Sequence, residues 1–247
     1  SVTSIEQRVF NSCSGITSIT IEDGVKEIGD NAFAGLTKFK SILIPDSVTT
    51  IGDYAFSGCT GLSNITMSRG VTDMGENVFY NCPGLTNITI PNDATEIASN
   101  AYAGITSITS ITIPDSVKII GDNAFNGCTG LTSVTIPDSV SIIGDGAFQG
   151  CIGLESVVIE DGVKKIGNNV FADCENFDTS FFTLPSSVTE LGYDVFYRVR
   201  FITFNGVTYD CSRDEYEKLV DAVKQNASVP PANDFYYEKQ NFALGGI

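Results

Sequence analysis

The sequence contains no histidine and no tryptophan, and only two methionines. Histidine is the commonest general base and the commonest metal ligand near neutral pH, so the most frequent routes to acid–base and metal chemistry are closed. Positive charge is also scarce. Fourteen Lys and Arg stand against thirty Asp and Glu, a formal net charge of −16. A field of that sign repels nucleic acid and anionic membrane surfaces, which excludes both as partners and fits the solubility of an exposed scaffold. No apolar run approaches the ~20 residues of a membrane-spanning helix, so no membrane insertion is expected in this segment. No secretory signal opens the chain. It begins at "SVTSIEQRVF", part-way through a phrase that recurs further on, and is expected to be a segment of something longer.

What the chain has in quantity is repetition. "IPDSVTTIGDYAFSGCTGL" (44–62), "IPDSVKIIGDNAFNGCTGL" (113–131) and "IPDSVSIIGDGAFQGCIGL" (136–154) are near copies. The aromatic residue that closes the phrase stands at Phe10, Phe33, Phe56, Phe79, Tyr102, Phe125, Phe148 and Phe171, in steps of 23, and then at Phe196 after 25. A fixed period of this size marks a solenoid, in which each unit is too short to bury its own apolar side and relies on its neighbours. A hydrophobic content of 42% supplies the core.

Within one copy the phases are readable. Leu131, Val134 and Ile136 have L-x-x-L-x-L spacing, and the alternation at Val134 and Ile136 predicts a strand with one buried face. Pro137, Asp138 and Ser139 turn the chain. Val140 and Ile143 return to the core, and Gly144 allows a tight bend. Asp145 reads as the N-cap of a short α or 3-10 turn that buries Phe148 and Cys151. Stacked strands then form one long parallel sheet with neighbours ~4.8 Å apart.

The L-x-x-L-x-L strand, the P-D-S-V turn and the I-G-D-x-A-F-x-x-C closure resemble the BspA-like (Treponema-type) leucine-rich repeats, from Ser1 to about Phe204 in roughly nine copies. The resemblance implies a leucine-rich-repeat solenoid, mainly β. Its parallel sheet lies on the concave face, with short helical or 3-10 turns on the convex side. It also implies an extracellular or cell-surface location and a role in adhesion. Where ordinary leucine-rich repeats carry a turn Asn, this chain has Ser47, Ser116, Ser139 and Ser187, or Gly24, Gly70 and Gly162, so side-chain bonding along that ladder should be weaker.

Seven cysteines invite a disulfide reading, but their register argues for another. Cys13, Cys59, Cys82, Cys128, Cys151 and Cys174 each follow the phrase's Phe by three residues, in a slot that Leu36 and Ile105 fill elsewhere. A slot open to Leu, Ile or Cys is a core slot. The six are expected to be reduced and inaccessible, and Cys211, outside the register, to react first. A Cys every 23 residues matches no zinc spacing, and the acidic "IEDG" turns at Ile21 and Ile159 offer too few ligands for calcium. No metal or cofactor is expected.

The outward strand positions form two columns. One reads Thr20, Leu43, Thr66, Thr89, Thr112, Thr135, Val158, Thr183 and Thr203. The other reads Ser18, Ser41, Asn64, Asn87, Ser110, Ser133, Ser156, Phe181 and Phe201. They can be plain soluble sheet surface, a weak platform for polar polymers or, least in keeping with the interruptions at Leu43 and Val158, an ice-binding array. Phe181 and Phe201 should be adjacent and exposed, with Arg200 beside them and Tyr197 and Arg198 nearby. Phe181, Arg200, Phe201 and Tyr197 are the candidate partner-binding residues, because aromatics and Arg anchor interfaces. The alternative is that the C-terminal cap covers them.

Two regions are expected: the solenoid over 1–204, and a cap helix and tail over 205–247. In the cap, Ser212 and Glu215 match a capping box, and Tyr216, Leu219, Val220 and Val223 form one stripe. "DFYYEKQNF" is expected to fold back on the array. A nucleophile needs an activating base and an orienting partner, and no such set is visible. Asp30, Asp53, Asp122 and Asp145 share one phase, which marks capping. The chain therefore reads as a non-catalytic, monomeric module that binds a host or bacterial surface protein or a glycan. The alternative is a stalk or spacer with the binding part elsewhere.

Overall fold

The computed structural model describes residues 2–67, 70–179, 182–199, 201–211 and 213–228. Over them the chain winds into a β-solenoid of about nine coils with one helix after the last. In the strand Ser133–Ile136, Ser133 and Thr135 are exposed while Val134 and Ile136 are buried. This strand pairs in parallel with Ser156–Ile159, each residue facing its counterpart 23 positions on. Ser41–Ile44 and Asn64–Met67 repeat the arrangement, and the bridges Asn64↔Asn87 and Ser110↔Ser133 extend it to neighbouring coils. Because side chains alternate across a strand, the Ser/Asn and Thr columns lie outside as expected. Leu43 and Val158 are exposed within them.

A turn then brings the chain back. The Val140 N–H donates to the Pro137 carbonyl at 3.0 Å, and Val48–Pro45, Val117–Pro114 and Val188–Pro185 do likewise. Each of these valines is fully buried. Two-residue strands follow, Thr50–Ile51 and Ile142–Ile143 among them, and stack into parallel ladders of four and five strands.

The opposite side of each coil is a run of hydrogen-bonded turns, where the sequence suggested helical or 3-10 turns. Ala32 N–H closes onto Gly29 O and Ala34 N–H onto Asn31 O. Asn31, at φ +55, stops the turn from propagating as a helix. The alternate N–H groups leave the coil. Those of Asn31, Phe33 and Gly35 donate to the carbonyls of Asp53, Ala55 and Ser57 in the next coil, each at 2.8 Å. The aspartates cap the neighbouring coil instead of their own turn. Asp30 Oδ1 accepts from Asp53 N–H (3.0 Å), Asp122 Oδ1 from Asp145 N–H (2.8 Å) and Asp145 Oδ1 from Asn168 N–H (2.8 Å). Gly144 serves this contact and no bend. Its φ is not in the left-handed region, and a Cβ there would lie 2.5 Å from Asp122 Oδ1 and 2.7 Å from Asp122 N.

The column from Phe10 to Phe196 forms one continuous stack along the axis. Successive rings, Tyr102 included, lie 5.1 to 5.9 Å apart between centroids and within 24° of parallel, which is the favoured offset geometry. Tyr102 is fully buried, and its hydroxyl finds no hydrogen-bond partner among the described residues. Desolvation pushes its ionisation far above the ordinary range. Ser116 Oγ and Ser139 Oγ are also buried without partners, although Ser47 Oγ accepts from Gly24 N–H at 3.0 Å and Ser187 Oγ donates to Val163 O at 2.8 Å. The weaker turn ladder expected from the missing Asn is thus present in the middle of the array.

None of the seven cysteines forms a disulfide among the described residues. Cys59, Cys82, Cys128, Cys151 and Cys174 are buried, and each thiol donates to a carbonyl of the preceding coil at 3.1 to 3.3 Å. Burial pushes the Cys59 thiol up to about 11 and those of Cys82, Cys128 and Cys174 up to about 12. Cys13 departs from the expectation, being exposed. Cys211 is partly buried, so Cys13 takes its place as the first thiol to react.

Two outcomes follow from this packing. Tyr102→Phe removes an unpaired hydroxyl without changing the ring stack, so it should raise the unfolding free energy by about 1 kcal/mol. The check is the urea midpoint, and a loss of stability would mean that the hydroxyl is bonded. Maleimide labelling of the native protein should modify Cys13 first and leave the five buried thiols unreacted until denaturant is added. Rapid native labelling of Cys128 or Cys151 would contradict the core assignment.

Candidate binding site at the C-terminal end of the solenoid

The regular winding is interrupted by the two extra residues between Phe171 and Phe196. Among the described residues, the ladder that joins Ser133–Ile136 to Ser156–Ile159 does not continue to Thr183–Leu184. That strand pairs instead with Phe201–Phe204. Phe182 turns inward, edge-on to Phe177 at 5.1 Å and to Phe196 at 5.8 Å. Phe201–Phe204 then pairs antiparallel with Val207–Asp210 across Asn205–Gly206, whose φ values of +48 and +76 suit a tight hairpin. An antiparallel strand ends the parallel stack.

The helix α1 (Arg213–Ser228) packs on this end. Leu219 and Val223 of the expected stripe are fully buried, whereas Tyr216 and Val220 are partly buried. The Tyr216 hydroxyl donates to Gly192 O at 2.7 Å and accepts from Val195 N–H at 3.4 Å. Asn226 Nδ2 donates to Ser186 O at 2.7 Å. Ser212 of the expected capping box lies outside the described residues, as does the "DFYYEKQNF" tail.

Between α1 and the last turn lies a cavity of about 1410 Å³. Tyr193 and Tyr197, 62% and 51% exposed, stand on its wall with Arg198. The Arg198 Nη1 lies 3.1 Å from Glu175 Oε1 and 3.4 Å from Asp173 Oδ1. Its guanidinium carbon is 5.6 Å from the Tyr197 ring centroid, at cation–π range. Tyr197 is the largest influence raising the Arg198 pKa, followed by Asp173. The lining holds four carboxylates, Glu175, Asp194, Glu217 and Asp221, against two cations, Arg198 and Lys224. Lys224 lies 4.0 Å from Asp221. Among the described residues, Asp194 and Glu217 have no cationic partner, and no cluster of His, Cys, Asp and Glu could hold a metal ion. The wall offers aromatic faces and charge, and the Cys211 thiol also lines it.

Of the four candidate residues, Tyr197 lines this cavity. Phe201 is exposed on its strand, on the sheet side, with its backbone opposite Asp210. Tyr197 belongs to the turn side, where its carbonyl accepts from Asp173 N–H. The structure therefore puts these two on different faces. Phe181 and Arg200 lie outside the described residues.

Tyr193 and Glu217 are not marked by the sequence pattern, and Tyr216 stands out there only as part of the helical stripe. The available signal was departure from the phrase. Arg198, at φ +68, fills a left-handed slot held by Gly127, Gly150 and Asp173 in earlier coils. Tyr193 ends the capping column of Asp145 and Asn168 and takes Asn168 Oδ1 at 3.1 Å through its own N–H. Tyr197 follows Asn126, Gln149 and Ala172 in its column.

The BspA type leucine rich repeat region matches this chain in six copies, over residues 1–109 and 95–210. Among solved structures, the leucine-rich repeat protein of Treponema pallidum is 30% identical with a TM-score of 0.59, over 71% of this chain and 79% of that one. A leucine-rich repeat protein from Bacteroides ovatus shares the fold at 24% identity and a TM-score of 0.51, over 81% and 76% of the two chains. The pneumococcal vaccine antigen PcpA shares it at 19% identity and a TM-score of 0.51, over 83% and 60%. No curated protein matches the chain. With the 23-residue winding, the buried Phe column and a family match that spans most of its length, the chain belongs to the BspA-type leucine-rich-repeat family.

Proposed function

We propose that this chain is a non-catalytic, monomeric binding module that works outside the cell or on its surface, and that a surface protein or glycan docks at its C-terminal end. The observation that carries the reading is the cavity beside α1, where Tyr193, Tyr197 and Arg198 break a surface that is otherwise repetitive. Specific recognition needs a local difference, usually an aromatic or Arg anchor. The evenly repeated Ser, Asn and Thr columns offer none. The extracellular location rests on the likeness to BspA-type proteins. The lack of histidine supports a role without catalysis. Phe201, with Phe181 and Arg200, is proposed as a second contact on the sheet side. One observation favours a spacer instead, namely that the strand columns repeat almost unchanged from Ser41 to Ser156, as a rod with no site of its own would.

Glycan arrays and pull-downs from surface extracts separate these readings. The intact chain should capture a specific partner. Tyr193→Ala with Tyr197→Ala should abolish that capture while leaving the melting temperature within about 2 °C, since both side chains are exposed. Loss of capture on Phe181→Ala with Phe201→Ala alone would move the docking face to the sheet side. No capture by any form would support the spacer.

A further inference from the structure

The charge and shape of the cavity narrow the chemistry of what it can hold, given the reading that a partner docks there. We propose that the cavity takes a basic, extended polypeptide segment, one that presents arginine or lysine side chains to Tyr193, Asp194 and Glu217.

The lining excludes an anionic ligand. Carboxylates outnumber cations by four to two, and the more strongly held cation, Arg198, is already matched by Glu175 and Asp173. The chain's net charge of −16 adds attraction for cations at longer range.

Arg198 also shows how this wall holds a guanidinium: one aromatic face at 5.6 Å and two carboxylates at 3.1 and 3.4 Å. Groups of the same kinds line the cavity elsewhere, without a cationic partner among the described residues. Tyr193 and Asp194 follow Gly192 directly in the chain, and Glu217 follows Tyr216. The Tyr216 hydroxyl is bonded to Gly192 O and to Val195 N–H, so it clamps α1 across the backbone on either side of residues 193 and 194. One aromatic ring and two carboxylates unpaired among the described residues thus line the same cavity, Tyr193 and Asp194 from the turn side and Glu217 from α1. Tyr193 is 62% exposed, which leaves its ring open to an incoming group. At about 1410 Å³ the cavity exceeds the roughly 300–1,000 Å³ usual for small-molecule pockets, and suits several residues of a chain better than one small cation. A neutral oligosaccharide would use the tyrosine faces but leave Asp194 and Glu217 without counter-charge.

The test is a titration of the intact chain with fluorescein-labelled hexa-arginine peptide, read by anisotropy at low and at physiological salt. Binding should weaken as salt rises. Asp194→Asn with Glu217→Gln should weaken it about tenfold or more at low salt. Asn is suited to position 194, which has φ +52. Tyr193→Ala should weaken it roughly threefold, as for an exposed cation–π contact. Asp93→Asn with Asp115→Asn, in turns remote from α1, should leave it within about twofold. Melting temperatures verify folding of each variant. Equal weakening by the two acidic pairs would mean diffuse surface charge and overturn the proposal. So would absence of binding, or competition by neutral maltohexaose. If hexa-arginine ignores the cavity while a captured partner is still lost on Tyr193→Ala with Tyr197→Ala, the basic-segment inference fails and the docking site stands. If capture is also insensitive to those tyrosines, both fail.

Discussion

Each coil of this chain hands alternate backbone N–H groups of its turn side to the coil that follows, and that dependence governs most of what else is seen. The donors at Asn31, Phe33 and Gly35 reach the next coil at 2.8 Å, so coils must approach closely and in fixed phase. Close approach explains the Gly that precedes each capping Asp. A methyl group at Gly144 would strike Asp122. Fixed phase explains the constant 23-residue step, because slipping by one residue would send every buried strand residue outward. It also explains the aromatic stack, since rings at one phase of successive coils are brought to stacking distance by the backbone itself. A coil alone has neither a complete hydrogen-bond set nor a closed core, so stability belongs to pairs of neighbours.

The same constraint makes the regular part of the surface uniform. Every exposed column is a copy of one position, and a copied position has no unique neighbour. Variation becomes structurally permissible where the winding is relaxed, at the two extra residues before Phe196 and at the hairpin and helix that close the stack. There, Arg198 occupies a left-handed slot that Gly fills in most coils, Tyr193 stands where earlier coils carry a capping Asp or Asn, and α1 adds a second wall. The distinctive chemistry lies where the repeat is released from its own rules.

How much of this the sequence discloses depends on whether a feature is periodic. The Phe column, the buried Val134 and Ile136, and the core slot shared by Leu36, Ile105 and Cys128 are legible because recurrence reveals phase. Phase does not reveal the partner. Asp145 was readable as a cap, but that it caps Asn168 of the next coil follows from spacing between coils, which no single copy encodes. Gly144 was likewise readable as required, though for crowding and not for a bend. Cys13 keeps the phase of the phrase and is nevertheless exposed. The cavity is aperiodic and brings Tyr193 and Glu217 into one lining through a helix held by the buried Leu219 and Val223 and by the Tyr216 hydroxyl. Of the four residues chosen from composition, Tyr197 lies in it and Phe201 lies on the other face.

The dependence of each coil on its neighbours' phase is tested most directly by excising part of the array. Removing residues 114–136 deletes one whole period and joins Ile113 to Pro137, restoring the phrase. Removing residues 114–124 deletes about half a period and leaves all later coils out of phase. The account predicts that the first variant unfolds cooperatively by circular dichroism, with native-like strand content and a melting temperature within about 10 °C of the parent. The second should lose cooperative unfolding. If both variants fold equally well, or if the whole-period deletion unfolds the protein, stacking in register is not what holds this structure together.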